Sequence, residues 1–318
     1  MRMRSLTVAV MLAAARRVDG QTEYYNLDSG RPTRIEDAVA TPRGELEIQL
    51  LPLRAEWVGG GTQRLRLEPK FSYGVFPLTE IELRVPLLHA RSPAAPPTWG
   101  IASAGIGALH AFNVETRVPA FAVAGEAALP VGSLAATTVS YSVKGLMTKT
   151  FRFARLQLNA GGGTWSIRPV PPGVVAGGGG TVCGNAPGVP PCLIPDVPCN
   201  LVPADVTASA SFACMPSTKS EVRAAAASSP PTSGAHWMAA LGVDHSWPLI
   251  STLVVADVVV DRFDGLYPLD DWTAEVGMRR QVTPQMVFDC GLSRRFAGTT
   301  QATSITVGLS YSLPVKPW

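Results

Sequence analysis

The sequence predicts an all-β fold: a single transmembrane antiparallel up-and-down β-barrel of about twelve strands. Three observations carry this expectation. Hydrophobic residues fill 46% of the 318 positions and charged residues only 16%, against roughly 25% charged in ordinary soluble proteins. No apolar stretch reaches the about 18 residues that mark a spanning helix, so the apolar excess belongs on strands, at alternate positions. From residue 44 onward the chain runs as evenly spaced alternating segments divided by Pro, Gly and Asp clusters, the pattern of a barrel or a sandwich. The connections between these segments are short and long by turns, which suits a membrane barrel and has no cause in a sandwich.

The chain opens with an export signal, residues 1–21. Arg2 and Arg4 form a basic start, and Leu6 to Ala15 an apolar core too short to span a membrane. Arg16 and Arg17 follow where a neutral cleavage region is usual, so cleavage falls near Ala15 or near Gln21. Residues 22–43 read as an extended periplasmic lead-in. The strands expected are 44–58, 63–77, 78–91, 100–115, 119–132, 136–152, 154–167, 235–248, 250–264, 271–284, 285–298 and 301–314. Each accommodates the ~9–11 residues of a tilted spanning strand. A Pro-, Gly- and Ser-rich stretch, 168–235, interrupts the barrel at 44–314, and 315–318 form a short tail.

Alternation is clearest in the last strand, where Thr303, Ile305, Val307, Leu309, Tyr311 and Leu313 share one face and Ser304, Thr306, Gly308, Ser310 and Ser312 the other. In 64–75, Leu65, Leu67, Phe71, Tyr73 and Val75 oppose Arg64, Arg66, Glu68, Lys70 and Ser72; in 80–87, Ile81, Leu83, Val85 and Leu87 oppose Glu80, Glu82 and Arg84. Successive strand side chains point to opposite faces, so each segment has one greasy and one polar side. In a membrane barrel the greasy side meets lipid and the polar side lines the lumen.

An even strand count puts both termini in the periplasm. Connections after even strands are then short turns, here Phe76 to Thr79, Glu115 to Val118, Arg152-Phe153, Trp247 to Leu249 and Thr283-Pro284. Those after odd strands are extracellular and include Ser92 to Gly100, Asp264 to Asp271 and the long Arg168 to Ala235. Trp57, Trp99, Trp165, Trp237 and Trp272 fall near the extracellular strand ends and Trp247 near a periplasmic one, the placement of an interfacial girdle.

The 168–235 stretch is expected to be a surface loop. Four of the five cysteines lie in it, Cys183, Cys192, Cys199 and Cys214. An even number in an exported, core-poor segment suggests two disulfides, of which Cys183–Cys192 with Cys199–Cys214 is the most local of three pairings. Paired CxxC spacing is absent, which disfavours zinc. Cys290 alternates with Met286, Phe288 and Leu292 and reads as a small hydrophobe on the lipid face. Gly177 to Gly180 lack a following Lys-Ser/Thr and are loop, not a phosphate cradle.

No metal or cofactor motif is present, and none is expected. His89, His110, His236 and His245 lack a ligand partner at metal spacing, and no GxSxG elbow exists. The residues expected to line the lumen are Arg64, Arg66, Glu68, Lys70, Glu80, Glu82, Arg84, Glu126, Lys144, Arg155, Glu275, Arg279 and Asp289, with Asp257 and Arg295 beside them. Such mixed charges either fill a barrel with salt bridges or line a water-filled path.

The stretch Phe71 to Pro86, FSYGVFPLTEIELRVP, resembles the YG-x-x-x-x-E-L-x-L-x-x-P hairpin of the MetA-pathway-of-phenol-degradation, or transporter-like, family of outer-membrane barrels. Pro119 to Gly132, ending LPVG, is similar to that family's LPTG strand, with Val131 where Thr is usual. Asp289-Cys290-Gly291 stands where its closing hairpin carries DxG. The last strand also resembles the signal read by the barrel-assembly machinery, here Thr306, Gly308, Tyr311 and Leu313, although Pro314 to Trp318 follow it. The resemblance spans most of 40–165 and 235–314. It implies an outer-membrane barrel that passes small, hydrophobic or aromatic solutes, and it brings no catalytic residues.

These readings together describe a monomeric barrel in the bacterial outer membrane, not an enzyme, acting as a passive channel for small solutes. Its expected partners are outer-membrane lipid, the barrel-assembly machinery and the solutes themselves. The small net charge of +3, without basic runs among aromatics, argues against nucleic acid. The alternative is a structural or display barrel whose 168–235 loop binds a partner. A lipid hydrolase using His245 is a third and weaker reading.

Overall fold

The computed structural model describes residues 24–50, 52–93, 95–166, 233–264, 270–298 and 300–315. Its strands are β1 (Glu45–Gln49), β2 (Leu53–Val58), β3 (Thr62–Leu67), β4 (Lys70–Phe76), β5 (Thr79–Arg84), β6 (Leu87–Ser92), β7 (Ala95–Ile101), β8 (Ala104–Ala111), β9 (Ala120–Leu129), β10 (Ser140–Thr150), β11 (Arg155–Ser166), β12 (Ser233–Trp247), β13 (Thr252–Phe263), β14 (Asp271–Thr283), β15 (Met286–Ala297) and β16 (Ala302–Pro314). The first eight are halves of four long strands, β1 with β2, β3 with β4, β5 with β6 and β7 with β8, so the wall has twelve staves. Every stave is antiparallel to the next. β16 bonds β15 on one side and both β1 and β2 on the other, which closes the barrel.

The breaks within three of the first four staves fall at proline, Pro52, Pro69 and Pro86. Proline has no N–H to give a ladder. Its carbonyl still accepts, from Glu68 N–H to Pro52, Val85 N–H to Pro69 and Ala102 N–H to Pro86, at 3.1, 3.1 and 2.9 Å. The breaks are thereby stitched side by side.

One end of the barrel carries the connections Pro77–Leu78, 112–119, 151–154, 248–251 and 284–285; the other carries 59–61, 93–94, 130–139, 167–232, 264–270 and 298–301. The two longest, 130–139 and 167–232, are at the second end. Two expectations need correction. Most of Ser92 to Gly100 is strand, because β6 and β7 continue past the expected loop and pair, His89 opposite Trp99. The connection after β8 is longer than the four residues expected, since the strand ends at Ala111 and Asn113 side-chain bonds close the turn onto Phe121 and Pro119.

All twelve staves carry exposed large apolar side chains, among them Trp57, Phe71, Leu83, Ile106, Phe121, Val143, Leu158, Leu241, Val258, Val276, Leu292 and Ile305. Soluble proteins rarely expose a continuous apolar patch beyond a few hundred Å², so an apolar belt on every stave is a surface for lipid. No helix among the described residues is long and apolar enough to cross a membrane; the strands do the crossing. Inside, the buried residues are largely polar, including Lys70, Glu80, Gln157, Asn159, Asp257, Glu275, Arg279 and Asp289.

Two apolar clusters interrupt this polar interior, and both form around the segment that precedes β1. Leu27 and Ile35 pack on Ala240, Leu253, Val255 and Val259. Ala38 and Ala40 pack on Leu109, Ala111, Ala120, Ala122 and Leu146. Residues 24–43 therefore lie within the barrel, against its inner wall, a placement that the reading of 22–43 as a periplasmic lead-in lacks.

Candidate functional site

Apart from a single bridge of Arg43 to Gly74, the segment inside the barrel is not laddered to a strand, so most of its backbone N–H groups need other acceptors. The wall supplies side chains. Arg34 N–H donates to Glu275 at 2.6 Å, Ile35 N–H to Asp257 at 2.9 Å, Glu36 N–H to Asn159 at 2.8 Å, Ala38 N–H to Thr148 at 2.9 Å and Thr41 N–H to Glu80 at 2.6 Å. These acceptors stand on β14, β13, β11, β10 and β5 in turn, which traces the segment across the lumen. Asn159 also donates back to the Glu36 carbonyl at 2.7 Å.

Charged side chains of the segment are paired to the wall as well. Arg31 lies 3.3 Å from Asp289 and donates to Ser310 at 2.8 Å, with Asp28 and Glu47 at 3.6 and 3.7 Å. Arg34 reaches Asp261 at 2.5 Å. Glu36 pairs with Lys144, and Asp37 with Arg155 at 3.2 Å; Arg155 also holds Asp244 at 3.0 Å and the Tyr25 carbonyl. Asp28 meets Lys70 at 3.0 Å.

Inward glycines make the groove in which this segment runs. A Cβ on Gly242 would sit 2.8 Å from Ile35, one on Gly277 2.5 Å from Pro32, and one on Gly291 2.3 Å from the Pro32 carbonyl oxygen. A side chain at any of the three would push the segment off the wall.

The segment divides the lumen. On the side of the longer connections lies a vestibule of about 420 Å³, floored by Gly30, Arg31, Arg34 and Glu36. On the other side lies a cavity of about 480 Å³, bounded by Tyr25, Val39, Leu78, Val114, Phe151, Phe153 and Arg155. The two have no lining residue in common.

The expected luminal residues divide between these regions. Arg64, Arg66, Glu68, Lys70, Glu82, Arg84, Glu126 and Lys144 line the vestibule, with Arg295. Most of them are ion-paired across the wall: Arg64 to Glu56 at 3.2 Å, Arg66 to Glu68 at 2.6 Å, Arg84 to Glu68 at 3.2 Å and to Glu126, and Lys70 to Glu82. Glu80, Arg155, Glu275 and Asp289 lie deeper, and each bonds the inner segment as given above. Asp257 does the same, and Arg279 is buried as the cross-strand partner of Asp289. The residues that sequence reasoning missed are those of the segment itself, Arg31, Arg34, Ile35, Glu36 and Asp37, and the wall residues Arg54, Asn159, Asp244 and Asp261.

Trp57, Trp99, Trp237, Trp247 and Trp272 are exposed on the outer face. Trp165 departs from the girdle expected of it. It is 6% exposed, alternates with Gln157, Asn159 and Gly163 on the inner face of β11, and packs against Gly234. Thr306, Gly308, Tyr311 and Leu313 lie in β16, Gly308 facing the Asp289 carboxylate. Cys290 is a free, half-buried thiol. His245 is bonded through Nδ1 to the Phe153 carbonyl at 2.7 Å. Residues 1–21, the tail at 316–318 and Cys183, Cys192, Cys199 and Cys214 lie outside the described residues. Among the described residues, no group of three or more His, Cys, Asp or Glu is arranged to hold a metal.

No family model matches the chain, and no curated protein matches it. Among solved structures, it is similar to an outer membrane channel from Pseudomonas putida, with a TM-score of 0.51 and 10% identity over 91% of this chain and 99% of that one. The NanC porin is similar at a TM-score of 0.46 and 6% identity, over 82% of this chain and 98% of that one. What is shared is the fold. Identities this low carry nothing further.

Proposed function

We propose that this chain is an outer-membrane channel that passes small solutes, with residues 24–43 as a plug that holds the path shut. The observation that carries the reading is the inverted construction of the molecule: an apolar belt on all twelve staves encloses a charged vestibule whose floor is a short length of chain. A structural barrel needs no cavity of about 420 Å³ open on one side of a plug. Further support comes from the barrel fold shared with a solved outer membrane channel. The motifs at Phe71 to Pro86 and Asp289 to Gly291, which resemble those of the transporter-like family, agree with it.

The test is ion conductance across a planar bilayer containing the purified full-length protein. The channel reading expects discrete steps in conductance, rare in the parent protein and frequent once residues 24–41 are deleted. Absence of any step in both proteins, each shown to be a folded barrel, contradicts it.

A further inference from the structure

Arg54 on β2 and Arg66 on β3 are direct cross-strand partners, and so are Lys70 on β4 and Arg84 on β5. Like charges placed opposite one another destabilise a sheet, yet all four line the same vestibule. Two of the carboxylates that offset them are shared. Glu68 holds both Arg66 and Arg84, at 2.6 and 3.2 Å. Glu275 holds Arg54 at 3.4 Å while also meeting the Arg34 guanidinium at 3.7 Å and accepting the Arg34 backbone N–H at 2.6 Å.

At the Arg54–Arg66 pair, depth in the wall separates the signs. The Arg54 and Arg66 side chains are 28% and 32% exposed, against 2% and 19% for Glu275 and Glu68. These two guanidiniums thus face the water and their carboxylates stand behind them. The same cavity has an apolar side: Phe263 stacks on His236 with ring centroids 4.3 Å apart, and Met238 lies on the strand with His236.

We propose, resting on the channel reading, that the vestibule binds organic monocarboxylates with an apolar body. The carboxylate sits on the Arg54–Arg66 pair, and the body lies toward Phe263, His236 and Met238. Planar guanidiniums present forked N–H donors that match a carboxylate in two-bond geometry. A bound anion relieves the like-charge opposition in the wall. A neutral apolar solute cannot, and it would strip water from the guanidiniums without replacing those hydrogen bonds. The volume of about 420 Å³ falls within the range of small-molecule sites.

The test uses benzoate and its neutral analogue benzamide, titrated calorimetrically into the full-length protein in detergent. Benzoate is expected to bind at concentrations where benzamide gives no heat. Arg54→Gln with Arg66→Gln is expected to weaken benzoate binding at least about tenfold, the scale of lost charge-assisted hydrogen bonds. Arg262→Gln, which changes an exposed arginine paired with Asp264 outside the vestibule, is expected to leave binding unchanged. Where the double glutamine variant fails to form a barrel, Arg54→Lys with Arg66→Lys keeps the charge and removes the fork, and a severalfold loss is expected. Equal binding of benzoate and benzamide overturns the proposal, as does undiminished benzoate binding in a folded double variant. Bilayer conductance separates the two readings: conductance without a preference for benzoate sinks the monocarboxylate site alone, while benzoate binding without conductance sinks the channel alone.

Discussion

Truncating Ile35 should open the plug. Its side chain is 0% exposed, seated over Gly242 among Leu253, Val255 and Val259. Isoleucine to alanine in a packed interior costs about 2–5 kcal/mol, at the upper end where the surroundings cannot collapse into the cavity. Here the surroundings are a closed sheet with every stave bonded on both sides, which restricts such collapse. The barrel does not need Ile35 to close, so the cost falls on docking of the segment and not on the wall. At about 1.4 kcal/mol per tenfold, Ile35→Ala shifts the ratio of undocked to docked plug by about 30-fold or more. Single-channel recording reads that ratio directly, as the fraction of time spent in the conducting level. Val258→Ala is the control, because Val258 is exposed on the outer face of the strand that carries Val259. An Ile35→Ala protein whose open fraction equals that of the parent and of Val258→Ala would refute the argument that this contact holds the plug.

Other consequences follow from the same contacts. Gly291→Ala places a Cβ 2.3 Å from the Pro32 carbonyl oxygen, well inside contact distance, so it should raise the open fraction as Ile35→Ala does, with no change in the barrel's heat-dependent mobility. Arg155→Gln breaks buried pairs to Asp37 and Asp244. Loss of one partner of a buried pair costs about 3–5 kcal/mol, so residues 24–43 should become sensitive to protease added from the periplasmic side. If Thr306 to Leu313 is the stretch read by the assembly machinery, Tyr311→Ala should lower the amount of barrel in the outer-membrane fraction, and unchanged amounts would count against that role.

The wall was legible because its physics is local. Alternation along 303–313 and along 64–72 sets the inner and outer faces without any knowledge of neighbours, and the structure keeps those faces even across the break at Pro69. The plug was not legible, since an extended segment that bonds side chains has no period: Leu27, Ile35, Ala38 and Ala40 are scattered apolar residues until the wall gathers them. One signal was present. Leu253 to Val255 and Val258 to Val260 are apolar at successive positions, and a strand apolar on both faces has both covered. Lipid covers one of those faces, so something within the lumen had to cover the other. Trp165 failed for a related reason, because nearness to a strand end does not say which face a residue occupies, and parity with Gln157 and Asn159 does.

The molecule is a closed barrel whose outer face meets lipid. Electrophoresis of the outer-membrane fraction, with and without boiling in detergent, tests it most directly. The protein is expected in that fraction, with a mobility that shifts on boiling as the closed sheet opens. A protein recovered in the soluble fraction, running alike before and after boiling, would contradict it.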